Sequence, residues 1–132
     1  MNKRIVIAGI LLVVTSIILG AFGAHALKEV LKEEALNSFE VGVRYQVYHG
    51  LALLIMGASG FFAEIKLKPV FYLLLIGALL FSVSIYLLAI QDLLGMSLKF
   101  LGPVTPIGGM LMIIGWFVLL IKVIGARSVK SH

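Results

Sequence analysis

The sequence predicts an all-α membrane protein, a four-transmembrane-helix bundle with both the N and C termini cytoplasmic. Its 132 residues are 61% hydrophobic and 13% charged, whereas soluble domains are nearer half apolar and a quarter charged. A soluble domain of this length has too little interior to hide so much apolar surface. Long apolar runs and an uneven distribution of lysine and arginine support the same class. We therefore expect one integral membrane domain over residues 1–132, in a multi-pass protein of the cell membrane.

Four apolar runs cover residues 5–24, 43–63, 70–90 and 104–124. Each has about 20 residues, enough for a helix to cross a hydrocarbon core of about 30 Å. Backbone polar groups in lipid must be paired within a segment, and no run alternates as a barrel strand does, so helices are predicted. Ala24-His25-Ala26 after the first run fits a signal-peptide cleavage site, but the apolar stretch is too long for a signal peptide.

Lysine and arginine predict the orientation, because they are in excess on the cytoplasmic side of membrane proteins. The connections on one side carry seven of these residues and those on the other side carry four. The seven are Lys3, Arg4, Lys66, Lys68, Lys122, Arg127 and Lys130, and the four are Lys28, Lys32, Arg44 and Lys99. The first side is therefore predicted to be cytoplasmic. Since the charges flank apolar runs, the formal charge of +5 does not indicate a nucleic-acid partner.

Residues 25–42 lie between the first and second runs and have an amphipathic pattern. Leu27, Val30, Leu31 and Leu36 recur at helical spacing among charged residues. This pattern predicts a short amphipathic helix on the outer membrane surface. A solvated helical extension of the second span fits the pattern equally well.

Small residues recur at intervals of seven along the four runs, which places each set on one face of its helix. Membrane helices approach closely where small residues lie, because little side chain separates the backbones. We therefore predict helix packing at these positions. They are Gly9, Ser16, Gly23, Gly50, Gly57, Gly77, Ser84, Gly108 and Gly115.

Polar side chains gather around the start of the second span, at the predicted outer end of the bundle. Glu40 and Arg44 have the spacing of an ion pair on a helix, and Tyr45 and His49 share that spacing. Residues at the outer ends of the first and third spans extend the group. The predicted polar cluster consists of His25, Glu40, Arg44, Tyr45, Gln46, Tyr48, His49 and Tyr86.

Two interpretations of this cluster stay open. In the first, the cluster is a structural rim, since tyrosine and histidine suit the headgroup region and Arg44 can extend to the interface. Alternatively, it is an outward-facing pocket for a small polar ligand or a lipid headgroup. A metal site is not predicted, because His25 and His49 lie on different elements without close ligand spacing. The chain has no cysteine to supply a thiolate ligand or nucleophile.

The sequence carries no motif for a catalytic activity. It has no nucleotide-binding loop, nucleophile elbow or zinc-protease helix. We therefore predict a protein that is not an enzyme and has no cofactor, with a structural or accessory role in the membrane. Ligand binding or transport at the outer cluster is the alternative, and a quinone-binding redox accessory is a third hypothesis. The expected partner is the lipid bilayer, and a homo-oligomer or a membrane-protein partner is left open.

Four blocks of residues, in order along the chain, resemble the domain of unknown function 423 family. The blocks are Gly20-Ala21-Phe22-Gly23-Ala24-His25, Arg44-Tyr45-Gln46 with Tyr48-His49, Ser84-Ile85-Tyr86-Leu87-Leu88-Ala89, and Thr105-Pro106-Ile107-Gly108-Gly109. The resemblance implies a small multi-span membrane protein. It implies no known reaction, substrate or cofactor. Its signature residues on this chain are His25, Arg44, Tyr45, Gln46, His49 and Tyr86.

Overall fold

The computed structural model describes residues 1–126, and every regular element within that range is helical. A π-helical turn, Gly23–Leu27, joins the first helix to the second without a break. Arg127 and Lys130, which the predicted orientation counts, lie outside the described residues. The helices are α1 (Lys3–Phe22), α2 (Lys28–Val30), α3 (Glu33–Ala58), α4 (Lys68–Ile90) and α5 (Val104–Gly125).

Three helical stretches are long and apolar enough to cross a membrane. They are Lys3–Val30, Lys68–Ile90 and Lys99–Gly125. α3 has 26 residues, about 39 Å at about 1.5 Å per residue, so it is also long enough to span. Polar residues such as Gln46 and His49 make it less apolar than the other three. The predicted all-helical class is confirmed, with four long helices among the described residues.

The central pair of the fold is α3 and α4. α1 packs along α3, α5 packs along α4, and α3 and α4 pack against each other. Leu53 of α3 and Leu74 of α4 are completely buried between the helices. The least apolar long helix therefore packs between two others, where protein groups can contact the polar side chains on its buried faces.

All nine positions predicted for helix packing are buried. A Cβ at Gly9 would lie 2.7 Å from the Gly50 carbonyl oxygen and 2.7 Å from the Leu54 nitrogen, so α1 and α3 approach backbone to backbone. A Cβ at Gly77 would lie 2.9 Å from the Gly108 carbonyl oxygen, which shows the same close approach of α4 and α5. These two contacts have no room for a side chain at the glycine positions.

The segment between the first two long helices differs from the separate surface helix predicted over residues 25–42. The helical backbone continues to Val30, is extended at Leu31 and Lys32, and restarts at Glu33. Residues 33–42 are therefore the first turns of α3, as in the alternative that the sequence left open. The reason is burial, because Leu27 and Phe39 pack with Tyr86 and Ala89 in a small apolar cluster instead of facing a membrane surface.

The connection between α3 and α4 is longer than the gap between the second and third apolar runs, which covers only residues 64–69. α3 ends at Ala58, although the apolar run continues to residue 63. The backbone is extended at Ser59, and the Ser59 hydroxyl accepts a hydrogen bond from the Phe61 amide at 3.2 Å. This bond starts the 3₁₀ turn Gly60–Phe62, which ends the long helix before its apolar sequence ends.

Candidate functional site

Gln46 connects three helices through one side chain. Its amide nitrogen donates hydrogen bonds to the Leu12 carbonyl oxygen at 3.1 Å and to Thr15 Oγ1 at 2.6 Å, both on α1. Its amide oxygen accepts from the Tyr86 hydroxyl of α4 at 2.7 Å. The Thr15 hydroxyl donates to the Leu11 carbonyl at 2.7 Å, so its oxygen is left to accept from Gln46. Both amide hydrogens and the amide oxygen of Gln46 are therefore bonded.

Gln46 lies in the middle of α3 rather than at its outer end. It is about 20 Å from Glu33 and about 18 Å from Ala58 along the helix, at about 1.5 Å per residue. Its position along the helix differs from the predicted one because α3 begins at Glu33, whereas the apolar run begins at residue 43. Gln46 is buried at this position, so any polar atom of its amide group that lacked a partner would be costly.

His49 makes a second contact between helices, with α5. Trp116 Nε1–H donates to His49 Nε2 at 3.0 Å. Because Nε2 accepts, the neutral imidazole carries its proton on Nδ1, and Nδ1 donates to the Tyr45 carbonyl oxygen at 2.8 Å. The imidazole and indole rings meet edge to face with centroids 5.9 Å apart. Both ring nitrogens of this buried histidine are therefore engaged.

Two buried serines of α4 bond to its neighbours. Ser82 Oγ donates to the Gly42 carbonyl oxygen of α3 at 2.7 Å. Ser84 Oγ and Thr105 Oγ1 of α5 lie 2.6 Å apart and share a hydrogen bond. With the Gln46 bonds, each packed pair of long helices, α1 with α3, α3 with α4 and α4 with α5, has at least one hydrogen bond from a side chain.

The predicted polar cluster divides into exposed and buried members. Tyr45 and Tyr48 are 41% and 55% exposed, and the Tyr45 ring lies against Phe81 with centroids 5.0 Å apart. The structure brings Gln46 and Tyr86 together, pairs His49 with Trp116, and places His25 apart from them in the π turn. The exposed members are His25, Glu40, Arg44, Tyr45 and Tyr48, and the buried members are Gln46, His49 and Tyr86.

Sequence reasoning missed two partners in this network, Thr15 and Trp116. Thr15 and Ser16 are the two hydroxyl residues of the first apolar run. Trp116 lies near the middle of the fourth apolar run. Tryptophan in membrane proteins is enriched at the interfaces. A tryptophan near mid-span was therefore a signal that its N–H needs a buried acceptor.

The polar side chains of this network form hydrogen bonds with other groups of the same protein. Within residues 1–126, every buried side-chain nitrogen and oxygen has a hydrogen-bond partner. The same part of the chain contains no group of three or more His, Cys, Asp or Glu side chains that could hold a metal ion. Most of these buried side chains bond to another helix, whereas Ser16 bonds within α1.

The profile of a family described as "Protein of unknown function (DUF423)" matches residues 19–109, which contain Gln46, His49 and Tyr86. The chain belongs to the DUF423 family. It is also 40% identical over 120 residues to a "UPF0382 membrane protein" of Staphylococcus haemolyticus, covering 91% of this chain and 94% of that protein. A protein of that name from Staphylococcus saprophyticus is 39% identical over 119 residues, covering 90% of this chain and 95% of the relative. No solved structure matches.

These relatives agree with the apolar helices of the fold. Proteins similar to this chain over nine-tenths of its length are described as membrane proteins, and three of its helices are apolar enough to span. This DUF423 member is therefore a multi-pass membrane protein of a family whose biochemical activity is not established.

The bond between Gln46 and Tyr86 is expected to contribute about 0.6 kcal/mol, the average for side-chain hydrogen bonds between membrane helices, and at most about 1.7 kcal/mol. A double-mutant cycle of Gln46→Leu and Tyr86→Phe measures it as the non-additive part of the free energy of unfolding in detergent. Tyr72→Phe is the matched control, because Tyr72 is on the same helix and 45% exposed. Additive losses in the cycle would show that the two side chains do not interact.

The hydrogen bond from Trp116 to His49 is expected to appear in the fluorescence of the single tryptophan. His49→Leu removes the acceptor of the indole N–H, so the emission maximum should move to shorter wavelength. His25→Leu is the control, since His25 is exposed in the π turn. Identical spectra for His49→Leu and the unmodified protein would contradict the bond.

Proposed function

We propose that this protein has a structural or accessory, non-enzymatic role in the membrane. The observation that carries the proposal is the complete pairing of buried polar side-chain atoms among residues 1–126. A catalytic or transport site keeps some polar groups available to its substrate, whereas the buried polar side chains here, except Ser16, bond to another helix. The close contacts at the glycines also support a structural role, because they bring the backbone of α1 to that of α3 and the backbone of α4 to that of α5.

The geometry favours this role over ligand binding by the predicted cluster. A pocket made by that cluster would need His25, Arg44, Tyr48, His49 and Tyr86 around one enclosed space. His25, Arg44 and Tyr48 are instead exposed. The hydroxyl of Tyr86 and both ring nitrogens of His49 are already bonded inside the bundle.

The proposed topology has four spans, formed by α1, α3, α4 and α5, with both termini in the cytoplasm. α3 lies between α1 and α4, and its buried polar groups are bonded, which supports its insertion despite its lower hydropathy. The start of α1 lies beside the end of α3, where the Asn2 amide donates to the Gly57 carbonyl oxygen at 2.8 Å. The lysines and arginines at that end are in excess, which supports a cytoplasmic location.

The residues at the opposite end fit an outer location. About 20 residues of helix cross the hydrocarbon core, so α3 would leave the membrane before its first turns. Glu33 and Glu34 then lie in water beyond the outer surface. Arg44 lies deeper on the exposed side of α3, and its long side chain can extend towards the headgroups.

Single-cysteine labelling tests the topology, because the chain has no cysteine of its own. Lys99→Cys is expected to react with a membrane-impermeant maleimide added outside intact cells. Lys66→Cys is expected to react only after the cells are opened. Labelling of both positions from one side would contradict an odd number of crossings between them.

Reconstitution tests the functional role. The purified protein in liposomes is expected to add no flux of protons or of entrapped small solutes above protein-free liposomes. A flux that His49→Ala abolishes and His25→Ala leaves intact would overturn the structural role. A quinone in organic extracts of the purified protein would favour a redox accessory role instead.

A further inference from the structure

A cavity of about 500 Å³ opens at the end of the bundle where α1 begins. It lies between the first residues of the chain and the connection from α3 to α4. Lys3, Arg4 and Ser59 supply polar groups to its wall. The apolar part of the wall consists of side chains such as Met56, Phe62 and Leu67. The cavity thus has a basic part and an apolar part.

Backbone contacts hold the basic residues beside the apolar wall. The Asn2 amide donates to the Gly57 carbonyl oxygen at 2.8 Å, which joins the start of α1 to α3. The Asn2 side chain accepts from the Ile5 amide at 3.3 Å and begins α1. Ile5 is 2% exposed and belongs to the main core cluster. The bonds of Asn2 and the burial of Ile5 therefore hold the backbone in place on either side of Lys3 and Arg4.

Positive charge dominates this end of the bundle. Among the described residues it carries five lysines and arginines but one acidic residue, Glu64. Lys3 and Arg4 are both exposed. The five basic residues are Lys3, Arg4, Lys66, Lys68 and Lys122. Such a surface attracts anions and repels cations.

The apolar wall adjoins apolar groups on the outside of the bundle. Phe61 is 71% exposed, and its ring meets that of Phe62 edge to face with centroids 5.0 Å apart. Phe62 lines the cavity. An occupant can therefore place a charged group beside the basic residues and a hydrocarbon chain along Phe61 and Phe62. A molecule with a negative charge next to a hydrocarbon chain, an anionic amphiphile, matches both parts of the cavity.

We propose that this cavity binds the headgroup of an anionic phospholipid from the adjacent membrane leaflet. The phosphate lies beside Lys3 and Arg4, and the glycerol and upper acyl chain lie along the apolar wall. A zwitterionic lipid brings no net negative charge and binds less tightly. The site goes beyond the proposed structural role, and detergent measurements of lipid binding are independent of the outcome of the flux assay.

Titration of the purified protein in detergent with short-chain lipids tests the site. Dioctanoyl phosphatidylglycerol is expected to bind about 25-fold more tightly than dioctanoyl phosphatidylcholine, since two basic residues contribute about fivefold each. The variant Lys3→Gln with Arg4→Gln is expected to remove that preference. Lys28→Gln with Lys32→Gln, the same change of formal charge at the opposite end, is expected to keep it.

A second pair of variants keeps Lys3 and Arg4 and adds one negative charge. Gly60 lines the cavity and has open space around its Cβ position, so Gly60→Glu is expected to weaken phosphatidylglycerol binding about fivefold or more. Gly125→Glu is the matched control, because Gly125 also has open space and is absent from the lining. If Lys3→Gln with Arg4→Gln does not fold, the comparison of Gly60→Glu with Gly125→Glu still tests whether the lipid binds in this cavity.

Three outcomes would overturn the proposal. The first is equal affinity for the two lipids. The second is an equal effect of both members of a variant pair. The third is displacement of phosphatidylglycerol by inorganic phosphate at the same concentration as by the lipid itself, which would indicate a site for free anions.

Discussion

The fold depends on one buried amide side chain in the middle of α3. Gln46 costs free energy to place among apolar helices, and its bonds to α1 and α4 offset that cost only in one arrangement of the helices. In water, a displaced amide would find solvent as a partner. Buried among apolar side chains it would find none, so a shift of α1 along α3 would leave polar atoms of Gln46 unpaired. Gln46 thereby specifies the relative position of three helices.

Close backbone contact and hydrogen bonding have different roles in this bundle. Glycines such as Gly9 and Gly77 allow helices to approach, and dispersion forces then act over the length of each contact. Such contacts specify the distance between two helices well. They specify the position of one helix along the other less well, because small residues recur every second turn. The side-chain bonds of Gln46, His49 and Ser84 remove that ambiguity, since each needs one partner at one height.

The sequence predicted the kind and number of long helices because apolar runs of about 20 residues have few alternatives in lipid. It also identified buried small residues, since periodicity defines a face. It did not predict where Gln46 lies along its helix. α3 begins at Glu33, and charged residues such as Glu33 and Glu34 are as acceptable in a helix beyond the membrane as in a loop. Nor could periodicity find Thr15 or Trp116, because their importance comes from partners more than 30 residues away in the chain.

The π-helical turn Gly23–Leu27 has a consequence for how the chain tolerates changes of length. Such a turn contains one residue more than an α-helical turn, and in effect it is a single-residue insertion absorbed within a helix. Removing one residue there would return the segment to regular α-helix while keeping Leu27 on the face that packs with Phe39. Elsewhere in α1, the same deletion would rotate every later residue by about 100° and carry Leu27 away from that face. The turn is thus the place where related chains can differ in length by one residue and keep the same packing.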